Sequence, residues 1–149
     1  MSHFKYFKEK LFIEKTSVLN VLKTNKTPFY IYSSKQIEEN YNNFYNIFRS
    51  VNPLICFAAK ANTNLSIMRM LGKLGSGADV VSGGELLKAL KAGIKPNKIV
   101  FSGVGKTEEE LKLAIKNKIL LINVESESEA VLINKIGKKI IKLYLLVLE

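Results

Sequence analysis

One side chain in this sequence is placed for covalent chemistry, Lys60. It follows the run Ile55-Cys56-Phe57-Ala58-Ala59 and precedes Ala61-Asn62. A short apolar run bounded by turn formers reads as a buried strand, so Lys60 falls where that strand stops. Low dielectric there favours the neutral amine, and a neutral, held amine is what condensation with an aldehyde requires. The plainer alternative is a lysine that snorkels to solvent. Asp79, behind the small residues Gly77-Ala78, is the second candidate. It either lies near the Lys60 amine or is an ordinary turn aspartate. Ser82 and Glu85 are explained as helix-capping residues, and Ser102-Gly103 as a tight turn. Gly103-Val104-Gly105-Lys106-Thr107 resembles the end of a phosphate loop but lacks the preceding glycine at the required spacing, so it is a weak signal. His3, the sole histidine, lies near the terminus and is a poor catalytic candidate.

The elements that position these residues follow a rhythm. Strands are expected at 54–59, 78–81, 98–101 and 119–124. Helices are expected at 64–74, 84–92, 107–116 and 127–136, with Gly75, Gly93 and Gly137 as their stops. Ser82 with Glu85, Thr107 with Glu110 and Ser126 with Glu129 have capping-box spacing. Short strands alternating with helices predict βαβ units and a parallel sheet. Lys60, Asp79, Ser102 and Glu125 all fall at strand C-terminal ends, where both a barrel and an open sheet form their sites. Upstream, 11–16 and the aromatic run Phe29-Tyr30-Ile31-Tyr32 are expected as strands, with a helical turn over 17–23. Ser33 and Gln36 open a helix carrying Ile37, Tyr41, Phe44, Tyr45 and Phe48 on one face, a stripe that reads as core packing.

Composition narrows the function class. A chain of 149 residues is one domain or part of one. With 47% hydrophobic residues it can build a core, yet no window is apolar for long enough to cross a bilayer. The first ten residues mix charges with aromatics and lack a signal-peptide core, so a cytoplasmic protein is expected. The net charge of +10 rests on lysines, with only Arg49 and Arg69 as arginines. Without clustered arginine or a basic stripe, a solvated lysine-rich surface is favoured over nucleic-acid binding. Cys56, the single cysteine, reads as core filler.

Four stretches carry a resemblance: Phe57-Ala58-Ala59-Lys60-Ala61-Asn62; Gly77-Ala78-Asp79-Val80-Val81-Ser82-Gly83-Gly84-Glu85; Phe101-Ser102-Gly103-Val104-Gly105-Lys106; and Asn123-Val124-Glu125-Ser126. In this order they resemble the N-terminal part of the diaminopimelate decarboxylases, pyridoxal-phosphate enzymes of the alanine-racemase-like barrel class. The similarity spans roughly residues 11–137. It implies a partial (β/α)8 TIM-type barrel over 33–149, with residues 1–32 contributing to a second, β-rich domain. It further implies pyridoxal 5'-phosphate as cofactor, held by Lys60 and approached by Asp79. The implied reaction is decarboxylation of meso-2,6-diaminopimelate to L-lysine. The implied partners are a small amino-acid substrate and, at full length, a second copy in a homodimer.

A complete barrel of this kind takes about 250 residues. The family's ring-stacking histidine, glycine-rich phosphate loop, acid for the pyridine nitrogen and late cysteine motif have no match here. The stretch 139–149 is expected as a fifth strand, but it ends in a uniformly apolar run where the family shows Arg and Asn-Pro. The expectation is a truncated or frameshifted form with open sheet edges, whose activity by itself is in doubt. The alternatives are another decarboxylase or racemase of the same class, or a non-catalytic fragment.

Overall fold

A computed structural model of the chain describes residues 3–140 and 146–148. It divides into two compact units, 1–51 and 52–149.

The first unit is built on a three-stranded antiparallel sheet of β1 (Phe4–Phe7), β2 (Lys10–Ile13) and β3 (Thr16–Ser17). The short helix α1 (Val18–Leu22) follows, and then the longer α2 (Ser34–Phe48). The sequence reading missed β1. It also placed a strand at Phe29–Tyr32, where the backbone is irregular and Tyr30 is 89% exposed. β-propensity expresses a fit to a pleated surface with neighbours, and among the described residues that segment has no strand to pair with. The N-terminus of α2 forms as expected: Ser33 Oγ accepts from Gln36 N at 3.1 Å. The Gln36 side chain turns forward to Asn40 instead of closing a capping box. Glu14 supplies the remaining acceptor, taking bonds from Ser33 Oγ, Ser34 Oγ and Lys35 N. The aromatic stripe of α2 is present, with Phe44 and Phe48 rings 5.0 Å apart. It is not the core element expected, because no residue of α2 is buried and Phe44 is 52% exposed.

The second unit is the βα rhythm. Five parallel strands lie in sequence order: β4 (Cys56–Ala58), β5 (Gly77–Val80), β6 (Ile99–Phe101), β7 (Leu121–Val124) and β8 (Leu146–Leu148). They are joined by α3 (Leu65–Leu74), α4 (Gly83–Lys91), α5 (Glu108–Asn117) and α6 (Glu127–Ile140). Part of the expected fifth strand, 141–145 and 149, lies outside the described residues. α6 runs through Gly137, which was expected to stop it. A mid-helix glycine costs only about 1 kcal/mol relative to alanine, and the helix is held by Ile133 and Ile136, both buried in the core.

Side-chain alternation along the strands separates two faces. Ala78, Val80, Ile99, Phe101, Ile122 and Val124 face the helices and pack with Met68, Leu86, Leu111 and Ile115 in one buried cluster. Each large side chain fully removed from water there contributes about 2–3 kcal/mol. The opposite face carries Cys56, Ala58, Gly77, Asp79, Val100 and Leu121, placed by the register Cys56↔Gly77, Ala58↔Asp79, Asp79↔Val100 and Val100↔Leu121. Gly77 marks the closest approach on that face. A Cβ there would stand 2.1 Å from the Lys98 carbonyl oxygen and 2.8 Å from Cys56 Sγ.

Candidate functional site

Lys60 stands in a 3-10 turn, Ala59–Ala61, directly after β4. Ala59 is fully buried and anchors the turn beside it. The loop beyond is shaped by short polar side chains: Asn62 Oδ1 accepts from Asn64 N, Asn64 Oδ1 caps α3 by accepting from Ser66 N, and Lys88 Nζ donates to Thr63 Oγ1. The strand therefore ends where the sequence suggested, but the environment differs. The Lys60 side chain is exposed, so the residues described do not supply the enclosure expected at the strand's rim.

Asp79 sits on β5, two strand positions after Gly77, and its Cα pairs with that of Ala58, two residues before Lys60. Lys60 and Asp79 thus lie at the C-terminal ends of adjacent strands. Asp79 is no turn residue. Its Oδ1 accepts a 2.6 Å hydrogen bond from the Ser102 hydroxyl, and Ser102 Oγ accepts from Asn123 Nδ2 at 3.1 Å. Sequence reasoning missed this role for Ser102 and Asn123. The available signal was polar residues at the same end of three successive strands, on the face set by two-residue periodicity.

The βα loops around this end are tied to one another. Ser82, Thr107 and Ser126 each cap their helix by accepting from the backbone N–H three residues on. Thr107 and Glu110 complete a reciprocal box. Glu85 and Glu129 reach one residue further back, accepting from Val81 N and Glu125 N at 2.9 Å. Glu110 also crosses to the neighbouring helix start, accepting from Gly83 N at 2.7 Å. The Gly83 and Thr107 backbone N–H groups, followed by the Thr107 hydroxyl and the Lys106 charge, hold its carboxyl below the usual carboxylate range against a smaller opposing effect of burial.

Lys106 ends the suspected phosphate loop, and its ammonium is already committed. It donates to Gly103 O at 2.7 Å and Asn123 O at 2.6 Å, and pairs with Glu129 Oε1 at 2.9 Å. Two N–H groups are given to carbonyls and the charge is balanced by Glu129 in a buried ion pair, so the ammonium is not a free phosphate ligand. The adjoining cleft of about 340 Å³ is lined by Val104, Gly105, Lys106, Glu125, Ser126, Ser128, Glu129 and Leu132, and not by Lys60 or Asp79. Its two glutamates make it a poor anion site. Among the described residues no group of three or more His, Cys, Asp or Glu side chains could hold a metal ion, and no helix is long and apolar enough to cross a membrane.

A family profile described as the pyridoxal-binding domain of pyridoxal-dependent decarboxylases matches residues 34–148. The chain belongs to that family. It is 46% identical over 138 residues to the diaminopimelate decarboxylase of Aquifex aeolicus, covering 93% of this chain and 32% of that protein. It is 51% identical over 120 residues to the diaminopimelate decarboxylase of Helicobacter pylori strain J99, covering 80% of this chain and 30% of the relative. The crystal structure of the M. jannaschii diaminopimelate decarboxylase in complex with L-lysine superposes with a TM-score of 0.92 at 36% identity, over 97% of this chain and 35% of that one. The chain therefore spans about a third of the length of the relatives it matches. Its parallel sheet is part of the alanine-racemase-like (β/α) barrel, as the resemblance implied.

Proposed function

We propose that this chain supplies the N-terminal, cofactor-anchoring portion of a diaminopimelate decarboxylase, a carboxy-lyase that converts meso-2,6-diaminopimelate to L-lysine and carbon dioxide. The observation that carries the proposal is the placement of a primary amine and a carboxylate at the C-terminal ends of the adjacent strands β4 and β5. It occurs in a chain 46% identical to a diaminopimelate decarboxylase.

The residues present fit one end of pyridoxal 5'-phosphate. An exposed amine suits its aldehyde, and the small, only partly buried Ala58 pairs with Asp79 on the adjacent strand. When bound, that group supplies an electron sink for the pair left by departing carbon dioxide. Lys60 would hold it through Nζ and, once displaced by the substrate amine, would carry a proton on that atom. Asp79 presents fixed negative charge near those exchanges, with Oδ1 already held by Ser102. The family's phosphate-binding and ring-binding residues have no match among these residues, so the fit concerns the amine end of the site.

The remaining parts of the proposal are an amino-acid substrate, a homodimer at full length, and a cytoplasmic location. In the same reading, residues 1–32 contribute to a second β-domain and 33–149 form the incomplete barrel. The antiparallel strands β1–β3 support the first of these assignments. A second reading, a non-catalytic fragment, is favoured by the exposure of Lys60.

Incubation with pyridoxal phosphate, borohydride reduction and peptide mapping tests the proposal. One dominant adduct on Lys60, absent from Lys60→Ala and weaker in Asp79→Asn, is the expected result. Equal labelling of surface lysines would overturn it in favour of the fragment.

A further inference from the structure

Asp79, Ser102 and Asn123 form a row across the C-terminal ends of β5, β6 and β7, on the sheet face turned away from the helices. Asp79 pairs with Val100, and Ser102 follows Val100 by two residues. Val100 pairs with Leu121, and Asn123 follows Leu121 by two residues. The two hydrogen bonds within the row have a fixed sense. An ionised carboxylate only accepts, and a serine hydroxyl has one proton to give. Asn123 Nδ2–H fills a lone pair of Ser102 Oγ at 3.1 Å, and the hydroxyl proton is directed to Asp79 Oδ1 at 2.6 Å. The second distance is in the range of a charge-assisted O–H···O bond.

The backbone has no need of this arrangement. Ser102 N is bonded to Val80 O, so the chain turn is already satisfied without the hydroxyl. Asn123 is about nine-tenths buried, and it spends an amide hydrogen on a side chain, not on the ladder. Half of the Asp79 carboxylate is thereby anchored, while Oδ2 accepts no hydrogen bond among the described residues.

The geometry points to Ser102 and Asn123 as positioning residues for Asp79. They fix the orientation of its carboxylate through Oδ1 and keep Oδ2 for an incoming cationic group at the strand ends. On the function proposed above, that group is the Lys60 ammonium or the cationic portion of bound pyridoxal phosphate. The orientation itself does not rest on that reading. Holding the carboxylate before the cation arrives reduces the ordering cost at the moment of binding.

The test is a double-mutant cycle on pyridoxal phosphate affinity, measured by absorbance titration of the purified chain. Ser102→Ala is expected to weaken binding about tenfold, the worth of one hydrogen bond to a charged group, and Asn123→Ala about threefold. Ser102→Thr, which keeps the hydroxyl, restores affinity to within about twofold. In an Asp79→Asn background, Ser102→Ala costs less than about twofold, because its effect is transmitted through the carboxylate. A second measurement needs no cofactor. Three-bond NMR couplings at Asp79 should report one χ1 rotamer in the unmodified chain and averaged rotamers in Ser102→Ala. A chain that binds no pyridoxal phosphate removes the function proposed above while the couplings still decide the positioning. Equal losses in both backgrounds, or a single Asp79 rotamer that survives Ser102→Ala, would overturn the inference.

Discussion

The Lys106 ammonium lies 2.9 Å from Glu129 Oε1 with the two side chains only 1% and 8% exposed, linking the loop after β6 to the first turn of α6. The pair is withdrawn from water, and its value depends on completeness. Lys106 also satisfies the Gly103 and Asn123 carbonyls, and Glu129 Oε2 holds Glu125 N. Removing one partner of such a pair leaves a buried uncompensated charge, which costs about 3–5 kcal/mol. Lys106→Met is therefore expected to lower the urea midpoint by that equivalent, and Lys106→Met/Glu129→Gln to recover part of it. Chemical denaturation followed by circular dichroism checks both. A single variant as stable as the parent would show that the pair is structurally idle.

Glu110 gives the second unit an acid-sensitive component. Its carboxyl is held below the ordinary value of 4.5, first by the Gly83 N–H and then by the Thr107 N–H. A depressed folded-state value means the unfolded chain binds the proton more readily. The contribution is thus complete above the unfolded value and declines as pH falls from about 5 through the folded value. The group is partly exposed and screened, so its worth is about 1 kcal/mol or less. Glu110→Gln should lose that increment at neutral pH and flatten the acid limb of a stability–pH curve. Parallel limbs for the two proteins would assign the acid sensitivity elsewhere.

The βα rhythm was readable because its punctuation is local. Ser82, Thr107 and Ser126 each cap the helix they were expected to open, and Gly75 adopts φ +104 at the end of α3. What escaped depended on partners distant in sequence or on unusual turn chemistry. The two-residue turn between β1 and β2 is Lys8-Glu9, both at positive φ, where glycine or asparagine would have announced a hairpin. Phe29–Tyr32 has strand propensity, but among the described residues no strand pairs with it. Ser102 and Asn123 are unremarkable until the parallel register aligns them with Asp79. The structural role of Lys106 was not legible because neither its carbonyl acceptors nor Glu129 can be located from spacing. At Lys60 the strand end was legible, and the exposed side chain matches the plainer alternative of a lysine that snorkels to solvent. Spacing alone did not decide between that and an enclosed amine, since enclosure depends on tertiary neighbours.

Gly77 and Gly84 offer a matched pair of alanine substitutions. At Gly77 the new methyl would meet the Lys98 carbonyl oxygen at 2.1 Å, which only a shift between β5 and the segment before β6 can relieve. Gly77→Ala is expected to destabilise by about 3 kcal/mol, at the upper end of overpacking costs. At Gly84, within α4, the methyl would find only Ser82 Oγ at 3.8 Å, so helix propensity governs and stability should rise by a few tenths of a kcal/mol, about 0.5. Thermal unfolding of both variants provides the comparison. A tolerated Gly77→Ala would contradict the close approach of β5 to the Lys98 carbonyl.

Cys56 reports on the charge of Asp79. The thiol is half-buried on the same sheet face, its Sγ 3.8 Å from the Lys98 carbonyl oxygen. Burial pushes its pKa up, the Asp79 charge pushes it further, and Lys98 opposes both. The thiolate is the reactive form, so alkylation by iodoacetamide at pH 8 should be slow compared with an exposed cysteine. Asp79→Asn removes the repulsion, raises the thiolate fraction at fixed pH, and should speed alkylation about two- to threefold. Lys98→Met should slow it. Ser102→Ala keeps the Asp79 charge and should leave the rate within about twofold, separating loss of charge from loss of carboxylate orientation. Mass spectrometry of the labelled chain over time gives all four rates. An Asp79→Asn rate no faster than the parent's would mean that the carboxylate charge does not reach Cys56.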